Sequence, residues 1–288
     1  MTGHLPPLTT TNLTTTNLTE TEPPMAQDPH RSLGDQLWGI YSVWRRHATV
    51  YQKTWLVNFL PPITEPLVYL LAFGYGLTPM MGELFYLGQP LTYPQFIGPG
   101  MIAVALLFQA FFEASYGSFI RLHYQHTWQA LLTGPLSYTQ VFVGDMLWAM
   151  TRGMISGVVT GLVTVILGFY SWQGLLGSLP VMLLACGMFA AMGLWTAGLV
   201  KTVDQINVPI FMLAVPMFVL CGTYFPRENL PGVVGFVATV LPLASVVDLL
   251  RWPLGLPPYW PLQLLWILVL LGILSKLAHR QIARRLFA

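Results

Sequence analysis

The chain has 288 residues, of which 55% are hydrophobic and 8% are charged, and its formal net charge is +2. Charged residues make up roughly 25% of an ordinary soluble domain, so this composition cannot build a water-soluble surface. The small net charge gives no indication of a nucleic-acid partner. The length accommodates six apolar spans of about 20 residues with their loops and one tail, but no additional soluble catalytic domain.

Residues 1–30 differ in composition from the rest of the chain. A Thr-Thr-Thr-Asn-Leu unit occurs twice, over residues 9–13 and 14–18. Such a segment buries too little apolar area to offset the entropy that is lost on ordering. We therefore expect a disordered, Thr-rich cytoplasmic tail over residues 1–30 and a membrane domain over residues 31–288.

Residues 33–53 predict an N-terminal amphipathic helix at the membrane interface. Aromatic and apolar side chains, among them Trp38 and Trp44, are mixed here with the cations Arg45 and Arg46. Tryptophan rings at the interface and cations turned toward anionic membrane lipid are typical of such helices. We expect this helix to lead the chain into the bilayer.

Six apolar stretches follow and predict six transmembrane helices. Their approximate bounds are 55–77, 96–118, 141–170, 178–200, 208–224 and 259–277. A spanning helix satisfies its own backbone hydrogen bonds in lipid, where water cannot. The predicted fold class is therefore an all-α, polytopic membrane protein.

The distribution of cations predicts the sides of the membrane. Ten of the thirteen Lys and Arg residues fall at one end of the apolar stretches or on one side between them. Only Arg227 and Arg251 fall on the other side, and Arg152 is inside the third stretch. Because cytoplasmic loops carry an excess of Lys and Arg, we expect a bacterial inner-membrane protein with both termini in the cytoplasm.

Four ionisable residues fall inside the predicted spans, where such groups are costly and usually functional. These residues are Glu65, Glu113, Asp145 and Arg152. Asp145 and Arg152 are seven residues apart and share a helix face. Glu113 and Arg152 have similar predicted depth, so we expect an ion pair, or a triad with Asp145. Two roles are open for this charge network: a clamp between helices, or a moving switch.

Small residues in the spans predict close packing. Gly153, Gly157 and Gly161 form a stripe at four-residue spacing on the third stretch, which allows another helix to approach closely. Cys186 and Cys221 both lie in apolar stretches. They predict small buried side chains rather than a disulfide.

Aromatic residues form stripes at helical spacing on two spans. Tyr69 and Phe73 lie on the first span, and Phe108, Phe112 and Tyr116 on the second. Packing against lipid or neighbouring helices is one interpretation. The other is a substrate path, in which flat rings stack on sugar faces or apolar chains.

Two connections are too apolar for simple loops. Residues 121–137 predict a short amphipathic helix that Gly134 and Pro135 end, and an exposed Trp and Leu pair on it predicts a docking surface. Residues 225–251 are long and mainly apolar. We expect broken, re-entrant helices there, in the outer leaflet.

Several motifs are absent from the sequence. It contains no Gly-x-x-x-x-Gly-Lys phosphate loop, no Gly-x-Ser-x-Gly elbow and no His-Glu-x-x-His helix. His123 and His126 have no carboxylate or cysteine nearby to complete a metal site. An intramembrane acyltransferase would need a clustered acid, base or nucleophile, and a passive scaffold or channel is a further alternative. If the protein drives an uphill process, the energy must come from elsewhere.

The two apolar connections resemble the signatures of the permeases of type-2 ABC exporters. The inner residues that carry the resemblance are Arg121, Tyr124, Thr127, Trp128, Leu131, Leu132, Gly134, Pro135, Leu136, Gly144 and Asp145. The outer ones are residues 221–226, 230–231, 241–243, Val247, Asp248 and Arg251. The similarity covers about residues 33–288. Within the family, the chain looks most like permeases of nodulation-type lipo-oligosaccharide exporters and their antibiotic-exporting relatives.

This resemblance implies a transport subunit without an ATPase or cofactor of its own. A permease homodimer would bind two copies of a separate ABC ATP-binding subunit, which holds ATP and Mg. Residues 121–135 would form the coupling helix in a groove of that subunit, and the first, second and fifth spans would line the route. Each groove would push the helix that carries Trp128. The cargo would be a lipid-linked or amphiphilic saccharide moved outward, with a hydrophobic drug or antibiotic as the alternative.

Overall fold

The computed structural model describes residues 32–80, 82 and 84–287, without the side chains of seven residues between 57 and 65 and of Glu228. The side chain of Glu65 from the predicted charge network, and the predicted tail over residues 1–30, lie outside this description. The described chain is almost entirely helical, which agrees with the predicted fold class.

The described residues form twelve α-helices. In chain order their bounds are α1 Leu33–Lys53, α2 Trp55–Gly74, α3 Tyr93–Phe112, α4 Ser118–His123, α5 Thr127–Leu132, α6 Tyr138–Ile166, α7 Trp172–Leu199, α8 Asn207–Pro209, α9 Val215–Leu220, α10 Gly232–Val240, α11 Pro242–Leu250 and α12 Trp260–Leu286. Two π-helical turns, Glu113–Gly117 and Ile210–Ala214, join α3 to α4 and α8 to α9.

A short hairpin is the one departure from an all-α fold in the described residues. Strands β1 (Leu84–Tyr86) and β2 (Gln89–Leu91) pair antiparallel. Leu87 and Gly88 between them both have positive φ, which is the requirement of a type I′ turn. The predicted all-α fold class did not include this hairpin, because leucine at the first turn position gives almost no sequence signal for this turn.

Four helical segments are long and apolar enough to cross a membrane. They are Tyr93–His123, Tyr138–Ile166, Trp172–Leu199 and Trp260–Leu286. These segments correspond to the second, third, fourth and sixth predicted stretches. α10 and α11 meet the same criterion only as a pair bent by 77°, the geometry of a broken span or a re-entrant loop. The described residues therefore contain four such segments, or five with the bent pair.

The other two predicted stretches are less regular. α2 starts at residue 55, as predicted for the first stretch, but several of its side chains are not described. The fifth stretch corresponds to the shorter apolar segment Asp204–Leu220, which the second π-helical turn interrupts. Pro209 and Pro216 flank this turn, and proline removes a backbone donor from the helix. The presence of six membrane spans is therefore still a prediction.

α3, α6 and α7 form the centre of the bundle, and α12 lies along α7. A Cβ atom on Gly153 of α6 would lie 2.9 Å from the Cβ of Ala110 in α3 and 2.7 Å from the Sγ of Cys186 in α7. The predicted close approach at the glycine stripe is therefore confirmed. Cys186 and Cys221 are both buried and free, as the sequence predicted.

The two ends of the bundle differ in charge. What we call the basic end consists of α1, α4, α5, the start of α6, the end of α7 and the last turns of α12. Here the Tyr138 hydroxyl donates to the His279 carbonyl at 2.6 Å, and Arg285 donates to the Leu199 carbonyl at 2.7 Å. Arg285 thus satisfies a carbonyl that the end of α7 leaves without an intrahelical partner. The hairpin, α10 and α11 lie at the opposite end.

A glycine allows α1 to pack closely against α6. α1 has the bounds that were predicted for the interfacial helix, although its location at a membrane interface stays a prediction. A Cβ atom on Gly144 of α6 would lie 2.6 Å from the Cβ of Val43 in α1. Nearby, Trp44 Nε1 donates to Thr151 Oγ1 at 3.0 Å. α1 is therefore part of the packed bundle.

We predict that Gly144→Ala lowers the unfolding temperature of the detergent-purified protein. The new methyl group would meet the Cβ of Val43 at 2.6 Å, and no side-chain rotation moves a Cβ away. Overpacking of this kind costs about 1–3 kcal/mol. Gly272→Ala in α12 is the matched control, because no atom lies within 4 Å of a Cβ there. The control should melt at the wild-type temperature or above it. Equal melting of both variants would contradict the close contact of α1 and α6.

Candidate functional site

Five ionisable side chains meet at the basic end, and we call them the ion cluster. They are His47 of α1, Glu113 of the first π-helical turn, Arg121 of α4, and Asp145 and Arg152 of α6. π-Helical turns are frequent at functional sites. Within this turn, a Cβ on Gly117 would lie 2.9 Å from Glu113 Oε1 and 3.1 Å from Arg121 Nη1. The glycine therefore leaves the space in which these two groups meet.

Asp145 is the most deeply buried member, with 0% of its side chain exposed. Its carboxylate lies 3.1 Å from His47 Nε2 and 2.9 Å from Arg121 Nε. The Ser118 hydroxyl donates to it at 2.5 Å. Because these partners belong to α1 and α4, Asp145 connects both helices to α6.

Glu113 has 9% of its side chain exposed and accepts from three donors. Its Oε1 accepts from Arg121 Nη1 at 2.7 Å and from Trp148 Nε1 at 3.0 Å. Its Oε2 accepts from Arg152 Nη1 at 2.8 Å. The Arg152 guanidinium also lies over the ring of Tyr51, 5.2 Å from the centroid. Glu113 thus connects the π turn to α4 and α6.

The ion cluster is electrically balanced apart from its histidine. Two carboxylates face two guanidinium groups, and His47 adds positive charge only when it is protonated. Burial of charged groups costs several kcal/mol per ion, and this cost is offset only when each charge is paired and hydrogen-bonded. The four helical segments that supply these groups therefore favour one relative arrangement.

The structure brings together three of the four residues of the predicted charge network. The expected ion pair of Glu113 with Arg152 is present, and Asp145 joins it through Arg121. Sequence reasoning missed His47 and assigned Arg121 only to the coupling segment. Both residues were predicted to lie outside the spans, so the comparison of depth within the membrane, which paired Glu113 with Arg152, could not identify them.

The predicted coupling segment is two helices rather than one. α4 ends at His123, and α5 starts at Thr127 after His126, whose φ of +49° is left-handed. The expectation of one helix over residues 121–135 was therefore wrong. Arg121 lies in the helix before this break and turns into the ion cluster, whereas α5 projects as a separate short helix.

Trp128 is 1% exposed, so the prediction of an exposed tryptophan on α5 was wrong. Its ring packs 6.3 Å from the ring of Tyr138 at the start of α6. Neighbouring helices cover this large indole ring. The spacing of apolar residues along α5 alone does not reveal such coverage. The remaining predicted coupling residues are Thr127, which is buried, Leu131 and Leu132, which are partly buried, and Tyr124, Gly134 and Pro135, which are exposed.

The two predicted aromatic stripes join in one cluster through Phe218 of α9. Tyr69 and Phe73 stack with centroids 6.0 Å apart, and Phe108 and Phe112 with centroids 5.7 Å apart. The Phe218 ring lies 6.1 Å from Tyr69 and 5.4 Å from Phe108. A cavity of about 30 Å³ lies beside Tyr69 and Phe108, which is space for about one water molecule.

The second stripe becomes accessible near the ion cluster. Phe112 is 36% exposed and Tyr116 is 45% exposed, and Glu113 lies between them in the sequence. Both rings therefore present a face to the surroundings of the helix bundle. They are the two most exposed of the five residues on the predicted stripes.

A second buried polar group, at the opposite end, was not predicted as a site. Arg251 is 2% exposed and donates to the carbonyls of Phe96 at 3.0 Å and Gly222 at 2.7 Å. Its guanidinium also lies 5.5 Å from the ring of Tyr86 in the hairpin. Burial, with a smaller contribution from the Asp248 charge, raises the pKa of Tyr86 to about 12, so this ring stays uncharged at neutral pH.

Asp248 of α11 connects two further segments at this end. Its Oδ2 accepts from Arg227 Nη2 at 2.5 Å and from Gln263 Nε2 at 2.6 Å. The sequence resemblance included Asp248 and Arg251 but gave them no role. Their partners place α11 firmly against α3 and α12, so this group stabilises the bent pair α10 and α11.

The arrangement defines a class of protein. Buried ion pairs connect helices that are apolar enough to cross a membrane, and α1 packs against one end of that bundle. Within residues 32–80, 82 and 84–287, no group of three or more His, Cys, Asp or Glu side chains could hold a metal ion. The apolar helices and the ion pairs that connect them define the class of multi-pass helical membrane proteins.

The chain belongs to the ABC-2 type transporter family, whose sequence model matches residues 39–254. It is similar to Nodulation protein J of Rhizobium leguminosarum bv. viciae, at 34% identity over 210 residues, 73% of this chain and 80% of the relative. Nodulation protein J of Rhizobium meliloti is 31% identical over 214 residues, 74% of this chain and 80% of the relative. That of Azorhizobium caulinodans is 22% identical over 210 residues, 73% of this chain and 81% of the relative. Family membership makes this chain a membrane subunit for transport.

We predict that Asp145→Asn lowers the yield of folded protein several-fold. The change leaves the buried Arg121 guanidinium with only part of its anionic partners, and breaking a buried ion pair costs about 3–5 kcal/mol. The measurement is the monodisperse fraction of a fluorescently tagged chain after solubilisation. Asp204→Asn, which changes an exposed carboxylate after α7, is the matched control. A wild-type yield for Asp145→Asn would rule out a clamp role for the ion cluster.

Proposed function

We propose that the chain is the transmembrane permease subunit of an ATP-driven ABC exporter that moves a lipid-linked or amphiphilic saccharide outward from the cytoplasmic side. The match of residues 39–254 to the ABC-2 type transporter family carries this proposal. The cargo class is supported by the similarity to relatives named for nodulation, since the sequence resembles exporters of lipo-oligosaccharides.

The proposed topology has six spans over a membrane domain of residues 31–288, with both termini in the cytoplasm of a bacterium. α1 and the last turns of α12 lie at the same end of the bundle, and this end carries most of the cations, including Arg45, Arg46 and Arg285. An excess of Lys and Arg marks the cytoplasmic side of an inner membrane. α2 and Asp204–Leu220 serve as the first and fifth spans, and α10 with α11 as a re-entrant pair.

A separate ATP-binding subunit supplies the energy in this proposal and carries ATP and Mg. Its docking surface on this chain is the exposed side of residues 124–135, including Tyr124, Gln129 and Ala130. The buried Trp128 transmits force from α5 to α6 through Tyr138, rather than being pushed directly. The ion cluster then keeps α1, α4 and α6 together as they tilt.

The cargo route runs between two copies of the permease. The cavity among the aromatic rings of one protomer is too small for a saccharide. α2 and Asp204–Leu220 each expose large apolar side chains, which a second protomer and membrane lipid can cover. These side chains are Leu56, Leu60, Val68, Leu71, Val208, Phe211, Met212 and Val219. Phe112 and Tyr116 would contact the cargo along this route.

We predict that substitutions at two nearby positions of α5 have different effects, one on binding of the ATP-hydrolysing subunit and the other on folding. Ala130→Glu places a charge on the exposed docking surface, so the chain should fold but should no longer co-elute with the ATP-hydrolysing subunit when used as tagged bait. Trp128→Ala empties a buried site and should lower the folded yield, with a cost of about 3–5 kcal/mol. Ala130→Gln, with similar volume and no charge, is the control. Normal co-elution and ATPase stimulation with Ala130→Glu would show that α5 is not the docking surface.

A transport assay in sealed inverted vesicles tests the cargo. We expect ATP-dependent uptake of a lipo-oligosaccharide, and a two- to tenfold loss with Tyr116→Ala at unchanged ATPase activity, since an aromatic contact contributes about 0.5–1.5 kcal/mol. Tyr259→Ala is the control, because Tyr259 is 50% exposed and lies outside the stripes. Uptake of a hydrophobic antibiotic alone would overturn the saccharide cargo and leave the exporter class standing. Transport without any ATP-binding subunit would overturn the class.

A further inference from the structure

A cavity of about 310 Å³ lies at the basic end, between α1, the first π-helical turn, α4 and α6. Pockets for small molecules and head groups have volumes of roughly 300–1,000 Å³, so this space can hold more than water. It is open on one side, since Arg46, Val50, Thr54 and Gln125 line it and are exposed. The ion cluster forms its inner wall.

The cavity wall carries more positive than negative charge. Arg46, Arg121 and Arg152 line it, and the carboxylate among the lining residues is that of Glu113. Asp145 lies behind the wall against Arg121, so three cations face two carboxylates and one positive charge is in excess. His47, which also lines the cavity, raises this excess to two when it is protonated.

Among the arginines that line the cavity, Arg46 is the one without a carboxylate partner in the part of the chain that the structure describes. Arg121 and Arg152 are bound to carboxylates at 2.7 and 2.8 Å. Arg46 is exposed on α1, and no carboxylate among the described residues pairs with it. Its five N–H donors are available for an anion that enters from the open side.

The chemistry of the lining fits an amphipathic ligand. The cavity combines these cations with the rings of Tyr51 and Trp148 and the apolar side chain of Val50. α1 also exposes Trp38 and Tyr41, as helices in the head-group region of a membrane do. Basic pockets between helices on the cytoplasmic side of membrane proteins bind anionic lipid head groups.

We propose that this cavity binds the phosphate-bearing head group of an anionic membrane phospholipid, with Arg46 as its direct cation and Arg121 and Arg152 adding positive potential. The head group contacts α1 on one side and the π turn and α4 on the other. A bound lipid therefore stabilises the packing of α1 on the bundle. This inference goes beyond the transport function and does not depend on the cargo.

The test is lipid retention by the purified full-length chain, measured by native mass spectrometry during titration with short-chain phosphatidylglycerol. Arg46→Gln should weaken retention about fivefold, since one cation near the lipid surface contributes about 1 kcal/mol. Arg45→Gln is the matched control, because Arg45 is exposed beside Arg46 but does not line the cavity. The control should stay within twofold of wild type.

A second variant tests the opposite wall. Gln125→Glu adds a negative charge to the cavity from the segment after α4 and should also weaken retention of phosphatidylglycerol. In wild type, phosphatidylglycerol should raise the unfolding temperature, whereas phosphatidylcholine and inorganic phosphate at the same concentration should not.

Three outcomes would overturn the proposal. Equal loss in Arg45→Gln and Arg46→Gln would mean that only the general surface charge of α1 attracts lipid. Equal retention of phosphatidylcholine would exclude selection for an anionic head group. Full displacement by inorganic phosphate would identify a site for free anions rather than for lipid.

Discussion

Two carboxylates and two guanidinium groups, buried or partly buried, meet between α1, the first π-helical turn, α4 and α6, and the arrangement of the basic end depends on them. Asp145 has no exposed surface and is bound by Arg121, His47 and Ser118 at once. Separation of the π turn, α4 or α6 would leave a charge without its counterion, which costs more than the loss of an apolar contact. Separation of α1 would remove the contact of His47 with Asp145. These helices are therefore expected to move as one rigid unit rather than to slide past each other.

In the proposed exporter, this rigidity determines how a force that is applied to the basic end is transmitted through the bundle. α5 is short and separate from α4, but its buried indole packs against Tyr138, the first residue of α6. α6 in turn carries Asp145 and Arg152, so a push on α5 reaches the whole ion cluster through a single helix. At the opposite end, Asp248 accepts from the side chains of Arg227 and Gln263. Arg251 donates to the backbone carbonyls of Phe96 and Gly222. The segment formed by α3 and the first π-helical turn connects the two ends, because Arg251 binds the carbonyl of Phe96 in α3 and Glu113 of the π turn belongs to the ion cluster.

The sequence was sufficient for the features that depend on local pattern. The bounds of α1, the small-residue contact at Gly153 and the ion pair of Glu113 with Arg152 all follow from periodicity or from the cost of intramembrane charge. The burial of Trp128 did not follow, because the membrane is as apolar as a protein core. An apolar helix face therefore does not show whether protein, lipid or a partner covers it. Arg121 could not be assigned to Asp145 either, since the sequence predicted Arg121 to lie in a connection outside the spans, and the contact exists only after α4 packs against α6.

Contacts of different origin hold α1 to the bundle, and the proposed lipid site would add another. Gly144 allows close packing, His47 contributes one contact to the ion cluster, and the basic cavity leaves one wall to be completed from outside the protein. The first two depend only on residues of the chain, whereas the third depends on which lipids the surrounding membrane contains. If an anionic head group fills that cavity, the stability of the rigid unit varies with lipid composition while the proposed docking surface on α5 stays the same. In the proposed exporter, membrane composition would then adjust the coupling between ATP hydrolysis and transport without any change in the proposed contact between permease and ATP-binding subunit.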